Sequence, residues 1–491
     1  MRAYFVLLVL LGSSLSAQQA AQPSLTIYNQ NFAVVRQDLP LDLKSGENQV
    51  NVSDVTLHME PDSVILRDPS GKHRVNVLEQ NYRADPVSQS SLLSLYEGRT
   101  IDFELPDHTM VKGKVIRSGY VRPDYFNLNG YAQPLPASEE PIIEIGGQLR
   151  FGLPGTPIFP DLTGETILKP QLEWTVATDK PGRFPAEFSY VTGGLSWQAD
   201  YNIVAPEKGD VLDIVGWITM DNRSGKTFEN ARLKLIAGDV NKIQQGRVPV
   251  AARAFALAAS EAVAIPPVTE RAFDEYHLYT LERATTLRDN ETKQVEFIHA
   301  ASVASKQLYI YDGAKIDINR YNGWNWENVR NDHSYGTEAN PKVWVMREFA
   351  NSQANRLGMP LPKGRVRFYR RNDDGQVEFT GENMIDHTPK DETVRIYTGN
   401  AFDLTGERHR TSYTVDNAKN SATESFEIKV RNHKQEPVEV RVVEHLYRGK
   451  NWTISANSDD YQKKDSQTIE FPVTVGPDNE KVVTYTAHYS W

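Results

Sequence analysis

Along most of this chain apolar and polar residues alternate with a period of two. In FEIKVRNHKQEPVEVRVVEHLY, Phe426, Ile428 and Val430 fall on one side and Glu427, Lys429 and Arg431 on the other. After an intervening turn, Val438, Val440 and Val442 repeat the pattern against Glu439 and Arg441. Alternate residues of a strand face opposite sides, so each run predicts a strand with one buried face, and the two together read as a hairpin. RVRFYRRNDDGQVEFTG reads as a second hairpin turning at 372–375, and the closing KVVTYTAHYSW puts Val483, Tyr485, Ala487, Tyr489 and Trp491 on one face. Near the other end, SLTIYNQNFAVVRQDLPLDL and GENQVNVSDV predict strands broken by turn residues.

Strands with one apolar face must stack on a second sheet. The predicted fold class is therefore all-β, with antiparallel β-sandwich domains. GRTIDFELPDHTMVKGKVIRSG, two short strands around a Pro-Asp turn, together with PIIEIGGQLRF predicts a small SH3-like barrel in the N-terminal half. VLDIVGWITM and ARLKLIAGDV, joined by DNRSG, suit a central sandwich. The predicted organisation is an export signal over 1–17, an N-terminal β region over 18–84 and the small barrel over 85–168. A central sandwich follows over 169–247, an alanine- and proline-containing linker or short surface helix over 248–268, and a C-terminal sandwich over 269–491. A membrane-lying helix is the alternative for the alanine-rich stretch.

The first twenty residues, MRAYFVLLVLLGSSLSAQQA, carry Arg2, an apolar core at 4–11 and a plausible cleavage point after Ala17. The apolar run is too short to cross ~30 Å of hydrocarbon, and no later run is long enough for a transmembrane segment. The expected location is the periplasm or the exterior. With 39% hydrophobic and 24% charged residues among 491, the rest reads as folded and hydrophilic. A net charge of -10 argues against a nucleic-acid partner. Cysteine is absent, which removes disulfides, thiolate metal sites and cysteine nucleophiles together.

Several blocks in order carry a resemblance: GGLSWQADYNIV, GWITMDNRSGKTFENARLKLIAGDVN, EYHLYTLERATTLRDNETKQVEF and IDHTPKDETVRIYTGNAFDL, with LTIYNQNFAVVRQDLPLDLKSGENQV at the start and YTAHYSW at the close. Together they resemble a bacterial domain-of-unknown-function family, family 4139, which is similar to the C-terminal part of mucoidy-inhibitor-A-like proteins. The resemblance spans nearly all of the chain beyond the export signal. It departs before Pro170, where mucoidy-inhibitor-like members carry a coiled coil and this chain has barrel-like strands. It implies an exported, β-rich cell-envelope or secreted protein, and brings no catalytic residues with it.

Candidate chemistry is sparse. Ser196 in GGLSWQADYNIV lacks the second glycine and the following helix of a nucleophile elbow, so it reads as a strand residue beside Gly193 and Gly194, with Trp197 packing toward Trp217. The eleven histidines show no helical metal-ligand spacing, and His433 and His445 fall near opposite ends of the expected hairpin. Asp373, Asp374, Asp459 and Asp460 lie in acidic turns without EF-hand spacing. Arg365, Arg367, Arg370 and Arg371 alternate with Val366 and Phe368 and read as a charged strand face. No cofactor is expected.

RYNGWNWENVRNDHSY breaks the alternation and packs aromatic rings among four asparagines. Rings offer flat apolar faces and amides fix orientation, which is how sugars and peptides are held. Tyr321, Trp324, Asn325, Trp326 and Tyr335 are therefore the candidate binding residues; the alternative is a loop whose rings fold back to cap the sandwich. The leading functional reading is an exported, non-catalytic binding module whose partner is a glycan or an envelope protein. A hydrolase using paired carboxylates and a structural assembly protein pairing sheet edges stay open beside it.

Overall fold

The computed structural model describes residues 22–84, 88–120, 140–160, 167, 169–207, 209–238, 240–242, 268–316, 321, 323–416, 418 and 420–491. The 1–17 stretch expected as an export signal and nearly all of the 248–268 segment lie outside them. The protein is all-β: four sheets carry the described chain, with two short α-helices, Gln89–Leu95 and Trp326–Asn331, among the described residues. Two compact units emerge, one from residues 1–197 and 220–293, the other from 198–219 and 294–491. The segment expected as a central sandwich at 169–247 thus contributes to both.

The first unit contains an eight-stranded sheet centred on Phe32–Leu43, which pairs antiparallel with Gly182–Gly193 along its whole length. A three-stranded sheet sets Gln171–Thr178 between Gly46–Ser53 and Val75–Arg83. Trp174 is fully buried there, donates its indole N–H to Gln80 and meets Phe188 edge-on at 5.2 Å. Thr100–Glu104 and Met110–Arg117 form the hairpin expected around the Pro-Asp turn. They lie in a five-stranded antiparallel sheet whose core is Leu93, Ile101, Phe103, Val115 and Ile143. Its described pairings run from edge to edge, with no ladder between the two outer strands Thr156–Ile158 and Gln148–Phe151.

The 195–204 stretch behaves as a strand. Gly194 adopts φ 77°, and a Cβ there would sit 2.7 Å from the Arg223 carbonyl oxygen, so glycine is required. Leu195–Ala205 follows, with Leu195 and Trp197 buried and Ser196 half-buried between them. Trp197 donates to the Ile236 carbonyl and packs 6.0 Å from Tyr279.

The second unit is built on a thirteen-stranded sheet. Its C-terminal core gathers Phe426, Ile428 and Val430 with Val438, Val440, Val442, Val483, Tyr485 and Phe471. The alternation predicted these inward faces, but the expected hairpin is corrected. Ser421–Asn432 pairs with Thr393–Asp416 and Asn479–Ser490, whereas Val438–His445 pairs with Glu291–Asp312 and Thr468–Val475. The turn at 433–437 carries the chain across the core, so the two valine-rich faces meet from opposite sides instead of lying side by side. Buried Asn432 holds that crossover: its amide donates to the Glu436, Val475 and Gly476 carbonyls. The 372–375 turn does close an antiparallel hairpin, between Gly364–Arg371 and Val377–Ile385. Among the described pairings three are parallel: Ser24–Tyr28 with Phe228–Ala237, Leu195–Ala205 with Gly364–Arg371, and Glu291–Asp312 with Val438–His445.

Candidate functional site

The aromatic segment is seated on the C-terminal core by a buried ionic lattice. Thr393–Asp416 turns Arg408 inward, and Val438–His445 turns Glu444 inward; both are at most 4% exposed. Arg408 Nε donates to both Glu444 oxygens, at 2.8 and 3.0 Å, and Tyr485 Oη donates to the same carboxylate at 2.6 Å. A second set repeats the arrangement. Arg448, 1% exposed, donates from Nε to Glu424 at 2.8 Å, and Tyr489 Oη donates to Glu424 at 3.0 Å. Burial is the first cause that raises the pKa of both tyrosines well above the usual range, followed by the neighbouring carboxylate. Isolated charges at such depth would be strongly disfavoured; pairing and hydrogen bonding make these tolerable.

The remaining donors point at the main chain of the aromatic segment. Arg448 donates to the carbonyls of Val329 at 2.6 Å, Asp332 at 3.1 Å and Tyr335 at 2.8 Å. Arg408 donates to Gly336 at 2.7 Å, Arg410 to the His333 carbonyl and Tyr413 Oη to the Arg330 carbonyl. Arg448 also lies over the Tyr413 and Tyr335 rings, at 4.2 and 5.7 Å, and Arg330 lies over Trp491 at 4.5 Å. Because the anchors grip carbonyls, they fix the path of the segment and leave its side chains free to differ.

On this base Asn325 caps the short Trp326–Asn331 helix, its side chain accepting from the Asn328 N–H at 2.9 Å. Tyr321 stands edge-on to Trp324 at 4.9 Å and to Tyr335 at 5.0 Å. The structure therefore brings Tyr321, Trp324 and Tyr335 into one aromatic cluster, with Trp324 at 36% exposure and Asn325 exposed beside it. Arg320, Asn322 and the Trp326 side chain lie outside the described residues. The cluster has two half-buried rings, Tyr321 and Tyr335, and presents a third to solvent through Trp324. It can stack on a flat apolar face; Glu424 and Glu444, the carboxylates of the buried lattice, are engaged by arginine and tyrosine.

The other sequence candidates settle into structural roles. Asp374 accepts from the Gln376 N–H within its own turn, and Asp459 pairs with Lys481 at 2.6 Å. His433 is exposed, whereas His445 pairs with Asp312 at 2.9 Å and stacks on Tyr447. Among the described residues no group of three or more His, Asp or Glu could hold a metal ion, and no helix is long and apolar enough to cross a membrane. Arg408, Arg448, Glu424 and Glu444 were not legible as a set in the sequence. ERHRTSY carries a charged or polar residue on both faces, so its inward arginines leave no apolar alternation to detect. Comparison with family models, with curated proteins and with solved structures returned no match.

Proposed function

We propose that the protein is an exported, non-catalytic cell-envelope or secreted binding module, and that the Tyr321–Trp324–Tyr335 cluster is its glycan-recognition surface. The observation that carries this reading is the exposed Trp324 on a segment whose backbone is locked by Arg448 and Arg408. A preorganised aromatic face loses little conformational entropy when a sugar ring stacks on it. Export rests on the 1–17 pattern, and membership of family 4139 is part of the same proposal, resting on the sequence blocks alone.

The test is a pull-down of the mature chain with insoluble peptidoglycan, chitin and cellulose, alongside a total envelope fraction. Retention on one glycan, lost in Trp324→Ala with the fold intact, supports the reading. Equal retention of wild type and variant on every matrix overturns the site. Capture only from the protein portion of the envelope fraction replaces the glycan with a protein partner. Secretion trials with and without residues 1–17 test export; no difference would overturn it.

A further inference from the structure

A concavity in the same unit shares no lining residue with the aromatic cluster and has different chemistry. It has about 190 Å³ of free volume, and its lining includes Arg347, Arg370, Lys434, Tyr309, Phe402 and Asp403. The three cations come from separate elements: Arg347 from Lys342–Ala350, Arg370 from Gly364–Arg371, and Lys434 from the crossover turn after Asn432. Arg347 is buried and held by Asp210 at 3.2 Å and Gln307 at 2.7 Å, which occupies two of its five N–H donors. Lys434 donates to Tyr309 Oη at 2.7 Å with its ammonium 4.9 Å from that ring. Arg370 donates to the Glu207 carbonyl at 2.6 Å. Burial lowers the Arg347 pKa, Asp210 opposes this, and the Arg370 charge lowers it again, as two guanidinium groups facing the same space must. Asp403, at the exposed rim, is the one carboxylate in the lining.

The mouth is shaped by a bulge. Between the Lys342–Thr405 and Trp344–Asn400 pairs, Val343 alone stands opposite residues 401–404. The extra residues push Phe402 out to 98% exposure at the lip of the cleft. A lone exposed phenylalanine is ordinary; one thrown out by a bulge over a cation-lined cleft is in position to close on a ligand. Inside, the Thr380 and Thr398 hydroxyls donate to the Phe368 and Val345 carbonyls, which leaves their oxygens as acceptors facing the lining. The cleft thus offers charge for an anion, acceptors for hydroxyl groups and an apolar lip. Its volume is below the ~300–1,000 Å³ of drug-sized sites, so one ring fits better than a peptide.

We propose that this cleft binds a single acidic sugar unit, a ring bearing a carboxylate or phosphate held by Arg370, Lys434 and Arg347 with Phe402 across its face. The site is separate from the Trp324 surface and stands if that assignment fails. Calorimetric titration of the mature chain with glucuronate, glucose 6-phosphate, glucose and inorganic phosphate tests it. Both acids should bind at least about tenfold more tightly than glucose, as expected when charge-assisted hydrogen bonds are gained. Arg370→Gln with Lys434→Gln should weaken the acids by about tenfold or more. Phe402→Ala, at a fully exposed position, should weaken them about threefold without changing thermal unfolding. Competition by an oligouronate identifies the terminal unit of a polymer as the natural source, and its absence identifies the free sugar. The proposal is overturned if neither acid binds, if glucose or inorganic phosphate matches them, or if the folded double variant binds as wild type does.

Discussion

Arg448→Met removes the guanidinium that joins the aromatic segment to the C-terminal core while keeping most of the side-chain volume. It deletes the 2.8 Å ion pair to Glu424 and the donors to the carbonyls of Val329, Asp332 and Tyr335. Glu424 is left 4% exposed with the Tyr489 hydroxyl and an Arg410 guanidinium only 4.0 Å away. Breaking one side of a buried ion pair destabilises by about 3–5 kcal/mol, chiefly because the surviving charge stays dry. The three orphaned carbonyls can recover water only if the segment lifts, so part of the effect must appear as local opening. Denaturant unfolding of the second unit should show a loss of about 3–5 kcal/mol. Hydrogen exchange should accelerate in 329–336 ahead of Ser421–Asn432. Adding Glu424→Gln should restore more than about 1 kcal/mol, since it removes the stranded carboxylate. A loss below about 1 kcal/mol with unchanged exchange in 329–336 would refute the anchoring account.

Other consequences are as direct. Asn432→Ala should cost about 3 kcal/mol in denaturant unfolding, because its amide serves three carbonyls at the crossover, and a loss under about 1 kcal/mol would contradict this. Gly406→Ala would drive a methyl group into the buried Tyr311 ring, and should lower stability by about 1–3 kcal/mol or more in the same measurement. For His445, burial works against the charged form, but the Asp312 hydrogen bond and charge outweigh it and raise the pKa above 6.5. A raised folded pKa stabilises fully below the unfolded value and is lost as pH rises through the folded one. Stability should therefore fall as pH increases above about 6.5, and His445→Gln should flatten that slope.

What could be read in advance follows from what alternation encodes. Period two announced the strands at 421–432, 438–445 and 479–490 and their inward residues correctly, because burial of one face is local information. It could not say that the first two strands face each other across a core, since a hairpin and a crossover bury the same alternate residues. The discriminating signal was Asn432, a polar residue at the end of an apolar face. Its counterpart Asn222 donates to the Lys226, Leu287 and Arg288 carbonyls, and Asn351 donates to Met359, Thr388 and Pro389. Each accepts a backbone N–H on its side-chain oxygen as well, from Lys434, Ser224 or Gly358. A buried asparagine closing a strand is thus a recurring device here for clamping one turn to another. The aromatic segment was visible by its composition, yet its anchors were not: nothing local in the sequence pairs the inward Arg408 and Arg448 with Glu444 and Glu424. The cleft at Phe402 was illegible for the same reason, because its cations come from positions up to 87 residues apart, from Arg347 to Lys434.

The central claim is that an exposed ring on a rigid base recognises a glycan. The most direct measurement is the dissociation constant for whichever of peptidoglycan fragments, chitin oligomers or cello-oligomers the protein retains, compared across wild type, Trp324→Phe and Trp324→Ala. Stacking on Trp324 predicts wild-type affinity largely kept in Trp324→Phe and weakened about tenfold in Trp324→Ala, with unfolding curves superimposed. Equal affinities in all three proteins would contradict it.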